Sequence, residues 1–264
     1  MNRYPAPAQP IVAAMEAAAA AEPDRAVAFQ GAPGANSHIA VLQDTPDALP
    51  LPCYSFEDAI DAVRDGQAGS ALIPIENSLH GRVADIHFLL PESGLVITGE
   101  FFLPIRYALM GTGPLEGVRQ AISHPQALGQ CRHWLRSRNI EPVPFPDTAG
   151  AAARAVELAD PSVAAIAPPG AAAIYGLNTL AEALEDSDDN MTRFVRLARS
   201  GPAPKAASAE GFFASCRWRS GARCASDTGC QSGQSGRRDT RPSHCDSGAA
   251  RLRGSSVGEQ MSGC

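Results

Sequence analysis

Residues 71–83 read Ala-Leu-Ile-Pro-Ile-Glu-Asn-Ser-Leu-His-Gly-Arg-Val, and this stretch decides the fold of the chain. The apolar run at residues 71–75 predicts a buried strand. Three polar residues, Glu-Asn-Ser at 76–78, follow at once, and a helical pattern begins near Val83. In open α/β sheets, polar groups at the carboxyl end of a strand face ligands. Asn and Ser are also ordinary turn and capping residues, so a binding site and a simple helix cap are both open here.

The same order of strand, polar turn and helix recurs along the chain from Arg25 to about Leu197. Strands that alternate with helices of ten to fifteen residues predict βαβ units. Two such series meet near Pro104, and a last strand returns from Met191. This pattern predicts an α/β fold of two lobes, with mainly parallel sheets and a cleft between the lobes. The polar clusters after the strands are residues 31–37, 76–78, 123–126, 147–148, 168–170 and 190–193.

Charge and cysteine usage limit the classes of partner. The formal charge is −6, and residues 208–264 hold eight arginines against five acidic groups, so the rest of the chain is more acidic still. An acidic body argues against nucleic acid as the partner. No run of eighteen apolar residues occurs, which argues against a membrane partner. Cys53 and Cys131, the two cysteines before residue 200, fit a reducing compartment. The alanine-rich start, residues 1–24, predicts a flexible or helical leader rather than a signal peptide.

The sequence lacks the motifs that are typical of several common kinds of binding and catalytic site. The glycines at 31–34 match neither the dinucleotide fingerprint nor the Walker loop, and no Gly-x-Ser-x-Gly elbow occurs. His124, Cys131 and His133 have no common zinc spacing, so a packed helix face is the preferred interpretation and no metal site is expected. We therefore expect a site without cofactors, built from Asn, Ser, Thr, Gln, Glu and Arg. Helix N-termini in such a site would bind an anion without a lysine.

Five motifs resemble, in order and spacing, those of the prephenate dehydratases across about residues 25–199. They are Phe29-Gln-Gly-Ala-Pro-Gly-Ala-Asn-Ser37, Ile73-Pro-Ile-Glu-Asn-Ser-Leu-His-Gly81, Ser123-His-Pro-Gln-Ala-Leu-Gly-Gln-Cys131, Asp147-Thr-Ala149 and Asp189-Asn-Met-Thr-Arg-Phe194. The resemblance implies a fold similar to the two-lobed periplasmic-binding-protein type II. It also implies a lyase that converts prephenate to phenylpyruvate in phenylalanine biosynthesis, in the cytoplasm. Aromatisation of the ring drives that reaction, so the resemblance implies no cofactor or metal.

The resemblance also assigns roles to residues by motif position. The implied catalytic residues are Thr192, which donates to the departing hydroxyl, and Glu76, Asn77, Ser123 and Gln130. The implied substrate-binding residues are Ser78, Arg193, Thr148, Gly31, Ser37 and Phe194. For Arg193 two roles stay open: a fork to a substrate carboxylate, or a brace to an acid within residues 185–189. His80 stands where the family often has Glu, and Asn36 and His38 flank a serine usually set among Thr and Glu.

The composition changes abruptly after residue 200. Family members usually continue into an ACT regulatory domain, whose Gly-Ala-Leu and Glu-Ser-Arg-Pro motifs do not occur here. Residues 201–264 are rich in Ser, Gly and Arg, which predicts a disordered tail, and the composition resembles a shifted reading frame. The predicted organisation is a leader at 1–24, a catalytic domain at 25–200 and this tail. Within the catalytic domain, lobe 1 is expected at about 25–103 plus 192–200 and lobe 2 at about 104–191. A homodimer is possible, weakened by the loss of the ACT domain.

Two other functions remain open from the sequence. An arogenate dehydratase would use the same motifs on a related substrate. A bilobal solute-binding or sensing protein would share the fold without the reaction. The Thr-Arg-Phe run at 192–194 begins a strand and has no helix to cap, which favours the enzyme.

Overall fold

The computed structural model describes residues 4–200, which form eleven strands and eight α-helices. The strands are β1 (Ala26–Gln30), β2 (Leu49–Cys53), β3 (Ser70–Asn77), β4 (Gly81–Arg82), β5 (Val96–Pro104), β6 (Ala108–Gly111), β7 (Gln120–Ser123), β8 (Glu141–Pro144), β9 (Val163–Ala167), β10 (Asn178–Glu182) and β11 (Met191–Ala198). The helices are α1 (Gln9–Ala21), α2 (Asn36–Asp44), α3 (Phe56–Arg64), α4 (Ala84–Glu92), α5 (Pro125–Gln130), α6 (Arg132–Ser137), α7 (Thr148–Leu158) and α8 (Gly170–Tyr175). The expected tail at 201–264 lies outside the described residues.

The strands form two sheets, and each sheet is the centre of one lobe. The sheet of lobe 1 has the order β2-β1-β3-β11-β5, with β4 paired to the end of β3. The sheet of lobe 2 has the order β10-β6-β9-β7-β8. Lobe 1 therefore takes its strands from both ends of the described chain, and lobe 2 from the segment between β5 and β11. The two-lobed α/β class expected from the sequence is confirmed.

Both sheets are mixed rather than mainly parallel. In lobe 1, β1 runs parallel to β2 and β3, whereas β11 runs antiparallel to both β3 and β5. In lobe 2, β7 runs parallel to β8 and β9, whereas β6 runs antiparallel to β9 and β10. Apart from the short strand β4, which runs antiparallel to β3, every antiparallel pair involves β6 or β11, the strands that follow the two crossings between the lobes.

The two crossings between lobes are tied to each other. The backbone N–H of Ile105 donates to the carbonyl of Asn190 at 2.8 Å. The Tyr107 N–H donates to Glu185 Oε2 at 3.1 Å, and the Arg106 guanidinium pairs with Glu185 Oε1 at 3.1 Å. A hydrophobic cluster continues from lobe 1 into lobe 2 past the same place and includes buried Phe194. The base of the cleft is therefore both packed and hydrogen-bonded.

The start of the described chain is helical, which is one of the two forms that the sequence left open for it. Residues 9–21 form α1, whose Val12 and Ala19 are buried; Ala19 packs in the core of lobe 1. Ala8, in the 3-10 turn before α1, packs in the core of lobe 2. Because alanine is only weakly hydrophobic, the sequence of α1 shows no clear apolar face. Hydrophobic periodicity therefore could not predict how this helix packs. Within residues 4–200, no helix is long and apolar enough to span a bilayer.

Two local details refine the interpretation of the sequence. The apolar stretch at residues 95–110, which the sequence allowed as one long strand or as two with a bend at Pro104, forms two strands, β5 and β6, separated after Pro104. The helix expected through Trp134 is broken at Cys131 into α5 and α6, since Cys131 adopts φ −111° and ψ 16°. Neither change alters the sheet order.

Candidate active site

A cleft of ≈ 520 Å³ lies between the two lobes. Lobe 1 contributes the end of β3, the short strand β4 and the N-terminus of α2. Lobe 2 contributes α5 and the N-terminus of α7. Strand β11 adds Thr192 and Phe194 as it returns to lobe 1. The cleft thus collects the polar ends of elements from both lobes.

Thr192 and Asn77 face each other across the β11–β3 pair and form the polar floor of the cleft. They are register partners, and Thr192 is 8% exposed. Asn77 Nδ2 donates to Thr192 Oγ1 at 3.0 Å, and it also lies within hydrogen-bond distance of the Met191 carbonyl and of Asn190 Oδ1. A hydroxyl that accepts from an amide keeps its own proton for another acceptor. Thr192 is therefore able to donate into the cleft.

A chain of side-chain hydrogen bonds extends this floor across to lobe 2. Asn190, 1% exposed, donates from Nδ2 to Gln130 Oε1. Gln130 Nε2 lies 3.0 Å from His80 Nδ1. Asn77 Oδ1 accepts from the backbone N–H groups of Leu79 and His80 at 3.0 and 3.1 Å. His80 Nδ1 also lies 3.1 Å from Asn77 Oδ1, so the ring contacts both amides. A connected buried network of this kind holds its side chains in one geometry.

The N-terminus of α2 presents free donors to the cleft. No side chain caps this helix, whose N-cap is Ala35. Ser37 lines the cleft, and its hydroxyl makes no hydrogen bond within residues 4–200. His38 lies below it, where Nδ1 accepts from the Gly34 N–H at 3.0 Å and the ring stacks on Phe29. Burial lowers the pKa of His38 to about 4, so the ring is neutral near pH 7. Open N–H groups and a free hydroxyl at a helix N-terminus suit an anion.

The N-terminus of α7 faces the cleft from lobe 2 and is already capped. The Asp147 carboxylate accepts from the Gly150 N–H at 2.7 Å and from the Ala32 N–H of lobe 1 at 3.4 Å. Burial raises the pKa of Asp147, and these N–H groups oppose that rise. Thr148 follows it, lines the cleft and has no side-chain hydrogen bond within the described chain. Burial also lowers the pKa of His124, which lies nearby on the cleft.

Apolar side chains form the remaining wall of the cleft. They are Pro74 on β3, Ile105 and Tyr107 at the crossing between lobes, and Phe194 on β11. Ile105 and Phe194 are 2% and 1% exposed. This wall gives a flat, water-excluding surface beside the hydroxyl of Thr192.

The structure divides the residues assigned from the sequence into two groups. Six lie on the cleft: Thr192, Asn77, Gln130, Thr148, Ser37 and Phe194. Five do not: Glu76, Ser123, Ser78, Arg193 and Gly31.

Glu76 and Arg193 lie on the opposite face of the same strand pair, away from the cleft. The Arg193 guanidinium forms a fork with Glu100, with Nη2–Oε1 at 2.6 Å and Nε–Oε2 at 3.2 Å. Its Nη1 lies 3.9 Å from Glu76 Oε2. The Arg193 guanidinium does not line the cleft, and its carboxylate partners are Glu100 and Glu76 rather than an acid within residues 185–189. Side chains alternate along a strand, so the neighbour of an inward residue points outward.

Ser78, Ser123 and Gly31 lie off the cleft in three different places. Ser78 Oγ donates to the Asp189 carbonyl at 2.7 Å and accepts from the Met191 N–H, so it fixes the start of β11. Ser123 is fully buried and donates to the Ile166 carbonyl at 2.6 Å, inside the sheet of lobe 2. Gly31, with φ +117°, lines a neighbouring cavity of ≈ 370 Å³ and makes the turn out of β1.

Several cleft residues carried no assignment from the sequence. They are Asn36, His80, Arg82, Tyr107 and His124. His80 and Asn36 were visible as departures from the family motifs. Arg82 had no signal, because β4 has only two residues and no alternation to reveal it. Within residues 4–200, no group of three or more His, Cys, Asp or Glu is placed to hold a metal ion.

Comparison with known proteins shows which family the chain is similar to. A family model described as prephenate dehydratase matches residues 27–202. A bifunctional N-acyl-homoserine lactone acylase/prephenate dehydratase of Komagataeibacter europaeus is 40% identical over 198 residues, covering 74% of this chain and 70% of that protein. Arogenate dehydratase/prephenate dehydratase 1 of Arabidopsis thaliana is 39% identical over 181 residues, covering 68% of this chain. The chain spans 46% of the length of that plant protein.

Solved structures give the same result. The crystal structure of prephenate dehydratase from Arthrobacter aurescens, in complex with L-Phe, superposes with a TM-score of 0.64 at 33% identity. That match covers 69% of this chain and 63% of the other. The family model covers more than half of the sequence and includes both lobes. The chain belongs to the prephenate dehydratase family.

Proposed function

We propose that this protein converts prephenate to phenylpyruvate, as a cytoplasmic step of phenylalanine biosynthesis. The observation that carries the proposal is the buried Thr192 hydroxyl, which accepts from Asn77 and keeps its proton for a ligand in the cleft. Membership of the family supports the choice of reaction.

In the proposed reaction one carbon–carbon bond and one carbon–oxygen bond of the substrate break. The electron pair of the bond between the ring and its carboxylate flows into the ring as carbon dioxide leaves. The hydroxide departs with the electron pair of the carbon–oxygen bond, and the ring becomes aromatic. The departing oxygen takes up a proton, so a donor next to it lowers the barrier. One preorganised donor of this kind is worth about 3–4 kcal/mol.

Thr192 acts in this proposal by hydrogen bonding rather than by ionising. The threonine hydroxyl does not ionise near neutral pH, so the proton that the departing oxygen takes up comes from solvent water. Asn77 holds the Thr192 oxygen through its amide, and Asn190 and Gln130 hold Asn77 in turn. The direction of the Thr192 proton is thereby fixed towards the cleft.

The N-terminus of α2 is the proposed seat of the leaving carboxylate. Ser37 and the first N–H groups of the helix offer donors without a full positive charge. That is suitable for a group that must lose its charge, because a strong ion pair would stabilise the substrate and oppose the loss of carbon dioxide. Thr148 offers a second free hydroxyl from lobe 2, and the wall at Phe194 and Ile105 receives the ring.

The acylase activity named for the Komagataeibacter protein is not proposed for this chain. Acyl transfer through a covalent intermediate needs a nucleophile next to a base. Among the described residues that line the cleft, Ser37 is the only serine and there is no cysteine. The Ser37 hydroxyl makes no hydrogen bond to a histidine within residues 4–200, so a nucleophile with its base is not assembled there.

The experiment is an assay of the purified full chain with prephenate and, separately, with arogenate. Appearance of phenylpyruvate from prephenate is the expected result. Preferential formation of phenylalanine from arogenate would replace the proposed substrate by its amino-acid relative. Saturable binding of prephenate without turnover would contradict the proposed enzymatic activity and favour the solute-binding alternative.

A further inference from the structure

The turn between β1 and α2 belongs to lobe 1, but side chains of lobe 2 hold it at two points. The Tyr175 hydroxyl, at the end of α8, donates to the Pro33 carbonyl at 2.8 Å. The Ala32 N–H donates to the Asp147 carboxylate at the N-terminus of α7. The turn therefore offers one acceptor and one donor to lobe 2, and each has a side-chain partner there.

The contact at Tyr175 is buried and closely packed. Tyr175 is 7% exposed, and Pro33 is buried. Gly34, with φ +92°, lies so near α8 that a Cβ at this position would be 3.1 Å from the Cβ of Ala171. A buried carbonyl that loses its donor has no water to replace it, so removal of the Tyr175 hydroxyl should weaken the hold of lobe 2 on this turn.

The same turn leads directly into the N-terminus of α2. No side chain caps this helix, and the N–H of its N-cap residue, Ala35, donates back to the Ala32 carbonyl at 3.0 Å. Ser37 lines the cleft two residues further on. A shift of the turn would therefore move the open N–H groups and the Ser37 hydroxyl together. Tyr175 does not line the cleft, so it can act on a ligand there only through this turn.

We propose that Tyr175 is a positioning residue, whose hydrogen bond to the Pro33 carbonyl fixes the N-terminus of α2 for the leaving carboxylate of the substrate. This inference rests on the proposed function. Donors that are already in place bind a ligand better, because no ordering is needed when the ligand arrives. Asp147 is a less selective tie to the turn, since its carboxylate also caps α7.

The test compares Tyr175→Phe with Tyr4→Phe. Tyr4 is a matched control, because it lies off the cleft and its buried hydroxyl makes no hydrogen bond within residues 4–200. For Tyr175→Phe we expect KM for prephenate to rise about 5- to 30-fold, with kcat within about 3-fold of wild type, since binding is weakened while the Thr192 donor is unchanged. Tyr4→Phe should match wild type. An unchanged KM in Tyr175→Phe would overturn the inference.

A second measurement separates positioning of α2 from a general loss of structure. Phenylpyruvate lacks the leaving carboxylate, so its dissociation constant in Tyr175→Phe, measured by calorimetric titration, should stay within about 2-fold of wild type. A loss of phenylpyruvate affinity as large as the rise in KM would overturn the assignment to α2, because the hydroxyl would then support the whole cleft.

Hydrogen exchange tests the positioning without turnover. The backbone amides of residues 31–38 should exchange faster in Tyr175→Phe than in wild type or Tyr4→Phe, whereas those of β5 should exchange equally in all three proteins. Equal exchange at residues 31–38 would overturn the inference. Failure of the wild-type protein to turn over prephenate would instead contradict the proposed function, and the exchange result would still decide whether Tyr175 fixes the turn.

Discussion

The two faces of the β3–β11 strand pair have opposite characters although they are made from the same short motifs. On the cleft face, Asn77 and Thr192 are register partners and share one hydrogen bond. On the outer face, the next register pair, Glu76 and Arg193, lies beside Glu100 in a cluster of charges. The inner pair is neutral and oriented for donation, and the outer pair is charged and engaged with neighbours. Adjacent residues of one motif therefore make different contacts, a neutral hydrogen bond at the cleft on one face and ion pairs across the sheet on the other.

The largest expected effect tests the inner face. Thr192→Val keeps the branched shape and removes the hydroxyl, so we expect kcat for prephenate to fall by about 10²- to 10⁴-fold because the donor to the departing oxygen is lost. Steady-state kinetics measure the fall, and a thermal unfolding curve close to wild type shows that the fold is kept. A kcat near the wild-type value would remove Thr192 from the proposed mechanism.

A smaller loss is expected at the residue that holds Thr192. Asn77→Ala removes the amide that fixes Thr192 and leaves Asn190 Oδ1 without its donor, so kcat should fall about 10- to 100-fold. The free energy of unfolding should fall by about 1–3 kcal/mol, because buried polar atoms lose a partner.

The matched control for Asn77→Ala is Glu76→Gln, on the same strand and the opposite face. Its kcat should stay within about 3-fold of wild type, since Glu76 does not line the cleft. If the two variants lost activity equally, the division between the faces would not hold.

The smallest effect is expected on the outer face. Arg193→Gln and Glu100→Gln should each lower the free energy of unfolding by about 1 kcal/mol, because the pair is forked but about one-third exposed. Chemical denaturation of both single variants and the double variant gives the coupling energy of the pair. The catalytic rate should be nearly unaffected. A large loss of kcat in Arg193→Gln with normal stability would place the guanidinium at the substrate.

The sequence predicted the layers of this fold because strands and helices differ in their hydrophobic period. β1 and β9 are short apolar runs between polar turns, and their bounds follow from that composition. The motifs also indicated Asn77 and Thr192. They did not indicate which neighbouring side chains point away from the cleft, since that depends on the pairing of strands that are distant in sequence.

A bulge in β3 makes the assignment of faces harder. Phe194 pairs with Pro74 and Arg193 with Glu76, so Ile75 is an extra residue in the register. As a result, Pro74 and Asn77 both line the cleft although they are three positions apart. Strict alternation by two does not predict this. Arg82 was missed for a related reason, because β4 exists only as a partner for the end of β3.

The late position of β11 in the chain has a consequence for how the protein folds. The Asn77–Thr192 contact joins residues 115 positions apart, with the whole sheet of lobe 2 in between. During synthesis, the strands of lobe 2 can pair as soon as β10 is made. The sheet of lobe 1 cannot be completed until β11, which lies between β3 and β5, has been made. Such long-range pairing is slow, and until it occurs the edges of β3 and β5 are open to wrong partners. The reactive floor of the cleft is thus among the last parts of the molecule to assemble.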